Sequence, residues 1–149
     1  MVRPLSTMDE AQPNYQAVAA DALVRLAALT GREALRERAD RILTALSGTA
    51  AQNAIAHGAL LNAIGTRLSL AEIAVVNDAD GRFRDAALAL PFLDRTVIPA
   101  DEAGALPEGS LAGARQATAP ADGAAFVCRA GQCSAPVTDP AELAALWLK

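Results

Sequence analysis

The 149-residue chain has few of the residue types from which catalytic and ligand-binding sites are usually built. It contains one histidine, two cysteines and only 3% aromatic residues. A zinc site needs about four protein ligands, and no glycine-rich phosphate-binding loop is present, so we expect neither a metal nor a cofactor. Alanine accounts for 37 residues of the 52% hydrophobic fraction. We therefore expect a core of small side chains in closely packed helices rather than deep cavities.

An excess of basic residues is also missing. The chain has 13 basic and 17 acidic residues, a formal net charge of -4, which disfavours binding to a phosphate backbone. Nucleic acid is therefore not an expected partner. No apolar run approaches the roughly 18 residues of a membrane span, and residues 1–6 lack the apolar segment of a secretory signal. These absences favour a protein that does not enter a membrane and that resides in the cytoplasm.

The first 68 residues have the pattern of helices. Apolar or small residues recur at helical spacing between Asn14 and Leu29. Thr30–Glu33 has the form of a capping box and predicts the start of a second helix, and Thr49–Gln52 predicts a third helix that continues to about Ile64. The buried face of the second helix is predicted at Leu35, Ala39, Ile42, Leu43 and Leu46. Residues 1–68 are therefore predicted to form three antiparallel helices.

Residues 69–149 have a different pattern, typical of a small α/β subdomain. A β-branched run, a short helix and a second such run predict one parallel βαβ unit over Ile73–Val76, Arg82–Leu90 and Arg95–Ile98. Residues 99–123 show no period and are expected to be either a long covering loop or partly disordered. Beyond them the pattern predicts a β-hairpin that returns to about Val137, and a helix capped by Asp139. The fold class is therefore mixed α/β.

The two cysteines lie on the predicted hairpin, and its register decides whether they meet. If Ala130 and Gly131 are the central residues of a two-residue turn, Cys128 lies opposite Cys133 in a non-hydrogen-bonded pair, close enough for a strained and reducible bridge. If the turn has three residues, Cys128 lies opposite Gln132 and the thiols diverge. Buried structural thiols are favoured over a redox pair, a metal ligand or a nucleophile, because free cysteine usually behaves as a small hydrophobe.

Four other residues are candidates for ligand contact. His57 lies among alanines with no catalytic partner at a characteristic spacing, so packing is favoured over catalysis. Asp78 follows a predicted strand, at the position where α/β sheets bind ligands. Asp9 and Asn14 lie at the start of the first helix, where turn and cap chemistry also accounts for them.

Two stretches of the chain resemble one protein family. The run from Phe126 to Pro140 looks like the C-terminal signature of the large thioredoxin-domain-containing proteins of the YyaL and spermatogenesis-associated type. Residues 9–13, 22–31 and 36–39 are similar, in the same order, to a late helical hairpin of that family. The family usually continues with Ser-Gly-Asn after the residues corresponding to 9–13, whereas this chain has Asn14-Tyr15-Gln16.

The resemblance implies a larger parent protein, with a thioredoxin-like domain followed by a six-hairpin α/α toroid similar to N-acylglucosamine 2-epimerases and glycosidases. This chain corresponds to the last part of such a parent. We therefore expect a non-catalytic C-terminal module that packs on the rest of the parent, on a partner or on a second copy. The alternatives are a fragment of a carbohydrate-active enzyme and a thiol-redox module that uses Cys128 and Cys133.

Overall fold

The computed structural model describes residues 6–91, 95–100 and 111–147. Over these ranges the chain is mixed α/β, with six α-helices and a four-stranded mixed sheet, which confirms the predicted fold class. The contacts divide the chain into two compact units. The first comprises Met1–Ala27 and Arg32–Leu68, and the second comprises Ala28–Gly31 and Ser69–Lys149.

Three helices make up most of the first unit. They are α1 (Tyr15–Thr30), α2 (Glu33–Gln52) and α3 (Gly58–Ser69), the last preceded by a 3₁₀ turn over Ile55–His57. The core of the unit consists mainly of small residues, as the composition predicts: Ala17, Ala20, Leu43, Ala50, Leu60 and Ala63. Ala39 and Leu43 of the predicted α2 face are buried, and Leu35, Ile42 and Leu46 are half-buried, so that face is confirmed.

Both predicted capping boxes are wrong in detail. Thr30 is the last residue of α1, and Gly31 follows it. The φ of Gly31 is 64°, the left-handed conformation that favours glycine directly after a helix. The N-cap of α2 is Arg32, without a side-chain cap. Thr49 lies inside α2, where its hydroxyl donates to the Leu46 carbonyl oxygen at 2.6 Å. The third helical segment therefore begins at Ile55 rather than at Thr49.

The sheet of the second unit has the strand order β2-β1-β3-β4. The strands are β1 (Ala71–Val76), β2 (Arg95–Ala100), β3 (Ala124–Arg129) and β4 (Gln132–Cys133). β1 pairs in parallel with β2, and the helix α4 (Arg82–Ala89) connects these two strands. β1 also pairs antiparallel with β3. The single parallel βαβ unit is therefore confirmed.

Both faces of β1 are buried, because alternate residues of a strand point to opposite sides. Ala71, Ile73 and Val75 belong to one core cluster, together with residues of α4 and of the C-terminal helix. Ala74 and Val76 belong to a second cluster, which also contains Phe126 and Cys128. Burial on both sides explains why the end of β1, residues 73–76, is a continuous apolar run rather than an alternating one.

The segment 99–123 is not a loop throughout. β2 extends through Ala100, and a short helix α5 (Leu111–Gln116) contacts β1 and β2. Residues 101–110 lie outside the described part of the chain. The predicted return strand is also shorter than expected: beyond β4 the Ser134 N–H donates to the Val127 carbonyl oxygen, and Ala125 and Val137 form an isolated bridge. Pro136 has no N–H to donate to a ladder at this point.

The final helix begins where the sequence predicts, with Asp139 as its N-cap. The Asp139 carboxylate accepts from the Ala141 N–H at 3.0 Å, and Pro140 occupies the first helical position. The first turn, Pro140–Glu142, is 3₁₀ and continues as α6 (Leu143–Trp147). Leu143 is buried in the same cluster as Val137, which attaches the end of the chain to the sheet.

Candidate functional site

Three of the four candidate ligand residues come together in the first unit. Asp9, Asn14 and His57 form a polar cluster with Thr7 where the segment before α1 meets the start of α3. We call these four residues the N-terminal cluster. Asp78 is not part of it, since it belongs to the second unit.

The Asp9 carboxylate connects the starts of two helices. Its Oδ1 accepts from the Asn14 N–H and its Oδ2 from the Ala59 N–H, each at 2.8 Å. The Asp9 N–H in turn donates to the Ala56 carbonyl oxygen at 2.8 Å. These backbone bonds, that of Ala59 first and that of Asn14 next, lower the pKa of the Asp9 carboxyl below its ordinary value of 3.8. Because each oxygen accepts a backbone N–H at the start of a helix, Asp9 stabilises the fold at this point.

Asn14 is the N-cap of α1. Its Oδ1 accepts from the Gln16 N–H at 2.9 Å, and its Nδ2 donates to the Ser6 carbonyl oxygen at 2.7 Å. The side chain is only 5% exposed. A buried amide whose donor and acceptor are both used in this way fixes the preceding segment against the helix.

His57 is buried, 3% exposed, and its ring is held from both sides. Nδ1 lies 2.7 Å from the Asn53 carbonyl oxygen, which only accepts, so Nδ1 carries a proton. In the neutral ring Nε2 therefore accepts from the Thr7 hydroxyl, at 3.2 Å. A hydroxyl on a histidine is an arrangement found in nucleophilic catalysis. In this chain, however, Thr7 is half-buried and His57 is buried. Their hydrogen bond connects residue 7 to the start of α3.

An open cavity of about 410 Å³ lies beside the cluster. Its lining residues are Ser6, Met8, Glu10, Ala11, Gln12, Pro13, Asn14 and Tyr15. Asn14 is the one residue of the N-terminal cluster in this lining, and its amide is committed to the backbone. The structure therefore brings Asp9, Asn14 and His57 together, but Asp9 and His57 do not line this cavity.

Asp78 is a helix cap as well. Its Oδ1 accepts from the Phe83 N–H at 3.1 Å and its Oδ2 from the Arg84 N–H at 2.8 Å, both at the start of α4. The residue is 6% exposed. Within the described ranges, no group of three His, Cys, Asp or Glu side chains is placed to hold a metal ion.

The two cysteines are joined in a disulfide on the hairpin of β3 and β4. Cys128 pairs with Cys133 and Arg129 with Gln132, so the two-residue register is the correct one and the three-residue turn is excluded. Ala130 and Gly131 have φ values of 48° and 79°, as in the type I′ turn that suits a two-residue hairpin. The prediction that the two cysteines are free structural thiols is therefore wrong, because they form a disulfide.

The helical spacing of the sequence predicts an apolar face on α1, but it did not reveal that most of this face is exposed. Tyr15, Val18 and Leu26 are 56%, 53% and 46% exposed. With Ala19 and Ala22 they follow the i, i+3, i+4, i+7, i+11 spacing of one helical stripe, which we call the α1 apolar face. The buried face of α1 is instead Ala17, Ala20, Val24 and Ala27.

The α1 apolar face continues into an open groove between α1 and α2. The groove has a volume of about 460 Å³ and is lined by Tyr15, Gln16, Ala19, Arg41, Ile42, Ala45 and Leu46. Most of these side chains are apolar, and Ile42 and Leu46 are half-buried at its base. The chain therefore offers an apolar strip together with a depression of the size that side chains from another helix would fill.

Comparisons with protein-family models, with curated proteins and with solved structures found no match. In the part of the chain that the structure describes, no helix is both long enough and apolar enough to cross a membrane.

Proposed function

We propose that this chain is a non-catalytic protein-interaction module that docks through the α1 apolar face and its groove. The observation that carries the proposal is the run of large apolar side chains exposed at helical spacing on α1. The occupant of the face in the isolated chain is a second copy of the chain. In the longer protein implied by the resemblance to the YyaL-type family, a helical hairpin of the same protein takes that place. The proposed compartment is the cytoplasm.

The physical support is the cost of leaving this face in water. Full burial of a Val or Leu side chain contributes about 1.5–3 kcal/mol, and Val18 and Leu26 are each about half exposed. Covering the face with another protein surface therefore stabilises the complex by on the order of 1 kcal/mol for each large side chain of the face. A contiguous exposed apolar patch in a globular protein commonly marks an interaction surface.

The shape of the surface favours a helix as the occupant. The five residues of the α1 apolar face lie along one stripe of the helix, and the groove beside it is lined by residues of two helices. Packing of a ridge into the groove of a facing helix is the general mode of helix association. The small residues Ala19, Ala22 and Ala45 allow such a helix to approach closely.

A sedimentation-equilibrium series on the isolated chain tests the proposal. A second copy carries the same face, so we expect the wild type to self-associate as its concentration rises. Val18→Glu places a charge in the middle of the face and should leave the chain monomeric, because burying an unpaired carboxylate is costly.

Leu88→Glu is the matched control. Leu88 is 51% exposed on α4, against 53% for Val18, and it lies outside the proposed surface. This variant should associate like the wild type. A wild-type chain that stays monomeric at every concentration, or a Leu88→Glu effect equal to that of Val18→Glu, would contradict the proposal.

A further inference from the structure

The two sulfur-bearing residues of the hairpin disulfide differ in their surroundings. Cys128 is 1% exposed and belongs to an apolar cluster with Val76, Ile98 and Phe126. Cys133 packs against the same cluster but is only half-buried, and it ends β4, a two-residue strand at the edge of the sheet. The exposed turn at Ala130 and Gly131 adjoins it. One end of the bridge is therefore enclosed by the core, and the other lies next to solvent.

We propose that the Cys128–Cys133 bridge is a thiol–disulfide exchange site with a fixed direction of attack. The thiolate of an external dithiol attacks Sγ of Cys133, which breaks the Sγ–Sγ bond and releases Cys128 as a thiolate. The second thiol of the reductant then attacks its own sulfur in the mixed disulfide and releases Cys133 as a thiolate. The dithiol leaves as a disulfide, two electrons pass to the protein, and both cysteine thiolates take protons.

Access to the attacked sulfur determines this direction. The nucleophile, the attacked sulfur and the leaving sulfur must be nearly in line, and exchange rates depend on which sulfur is reached. Attack on Cys133 comes from the edge side of β4, whereas attack on Cys128 requires entry into the cluster that Phe126 and Ile98 share. The inference is independent of the α1 apolar face, because that face belongs to the first unit.

The backbone register also favours exchange. The pair is of the non-hydrogen-bonded type, since the Ser134 N–H donates to the Val127 carbonyl oxygen one residue further along. The Cα atoms of Cys128 and Cys133 are 3.9 Å apart, below the usual range of about 4.4–6.8 Å for bridged residues. Bridges outside that range are more easily reduced. In a reducing compartment such a disulfide is typically transient or redox-sensing rather than structural.

The turn end of the hairpin is connected to the C-terminal helix by Arg129. Its guanidinium lies 4.7 Å from the centroid of the Trp147 ring and donates to the Trp147 carbonyl oxygen at 3.3 Å. Trp147 is the one tryptophan of the chain. Its fluorescence therefore reports on the hairpin residue next to Cys128 and shows whether a variant keeps its fold at this place.

The test is trapping of the mixed disulfide in the full chain without denaturant. Reduced glutathione is added to the oxidised protein, the reaction is quenched at neutral pH with excess iodoacetamide, and the glutathionylated residue is located by peptide mass spectrometry. Glutathione should be found on Cys133, with the alkyl group on Cys128. Adducts shared equally by the two cysteines, or found on Cys128, would overturn the direction of attack.

Two single variants provide an independent rate measurement. In Cys128→Ala the remaining thiol is Cys133, and in Cys133→Ala it is Cys128. Native labelling by a maleimide should be at least about tenfold faster in Cys128→Ala, because access limits the reaction at the buried thiol. The two rates should become equal in denaturant, and Trp147 emission checks the fold of each variant. Equal native rates, or a wild-type bridge that dithiothreitol reduces only after unfolding, would overturn the proposal.

Discussion

At the scale of single residues, the polar side chains that the sequence offers as ligands are used to fix the backbone. Asp9 caps the start of α3 from 50 residues away and also accepts from the Asn14 N–H. Asp78 caps the start of α4 through both of its carboxylate oxygens. Cap chemistry at Asn14 is readable from the sequence, since Asn commonly precedes a helix. The capping of Ala59 by Asp9 is not, because it depends on tertiary contact between distant segments.

Asp9→Asn should lower the free energy of unfolding at neutral pH, because the amide supplies one acceptor atom where the carboxylate supplies two. The Asp9 pKa is lowered in the folded protein, so its contribution is present above its ordinary pKa of 3.8 and is lost as the pH falls through the folded value. The difference in stability between wild type and Asp9→Asn should therefore shrink below about pH 4. Urea unfolding followed by circular dichroism at several pH values measures it.

Glu10→Gln is the control for this series, since it removes a carboxylate from the adjacent, exposed position. It should change the stability little at any pH. A difference between wild type and Asp9→Asn that stays constant down to pH 2 would show that the carboxylate is not the group that matters.

At the scale of elements, the helices and strands themselves are largely predictable, and so is the buried face of α2, but the buried face of α1 is not. β1 and β3 follow from β-branched and apolar runs, and α2 from its amphipathic pattern. α1 is apolar on more than one side, so periodicity alone does not specify which side faces the core. The structure buries Ala17 and Ala20 rather than the larger Tyr15 and Val18, because small residues allow close packing with the neighbouring helices.

The same substitution on the two sides of α1 tests this assignment. Ala20 is fully buried and Ala22 is exposed. Ala20→Leu should destabilise the chain by about 1–3 kcal/mol, because extra methyl groups overpack a closed core. Ala22→Leu should change the stability by less than about 0.5 kcal/mol. Thermal or urea unfolding measures both, and a larger loss for Ala22→Leu would show that the buried face has been assigned to the wrong side.

At the scale of the whole molecule, the account combines an interaction surface in one unit with an exchangeable bridge in the other. The Ala130-Gly131 turn sets the hairpin register, and the register brings Cys128 and Cys133 together. From the sequence alone, this register was one of two alternatives. The choice between the alternatives needed the backbone of β3 and β4. The exposed face of α1 needed the packing of the first unit, since no local pattern distinguishes an apolar side that is covered from one that is not.

The most direct test of the central claim is a dilution series of ¹H–¹⁵N correlation spectra of the isolated chain. If the α1 apolar face is the docking surface, the amide shifts that change with protein concentration should lie in residues 15–26 and 41–46. Amides of the sheet and of α4 should remain unchanged. Spectra that do not depend on concentration, or changes confined to residues outside these two segments, would contradict the account.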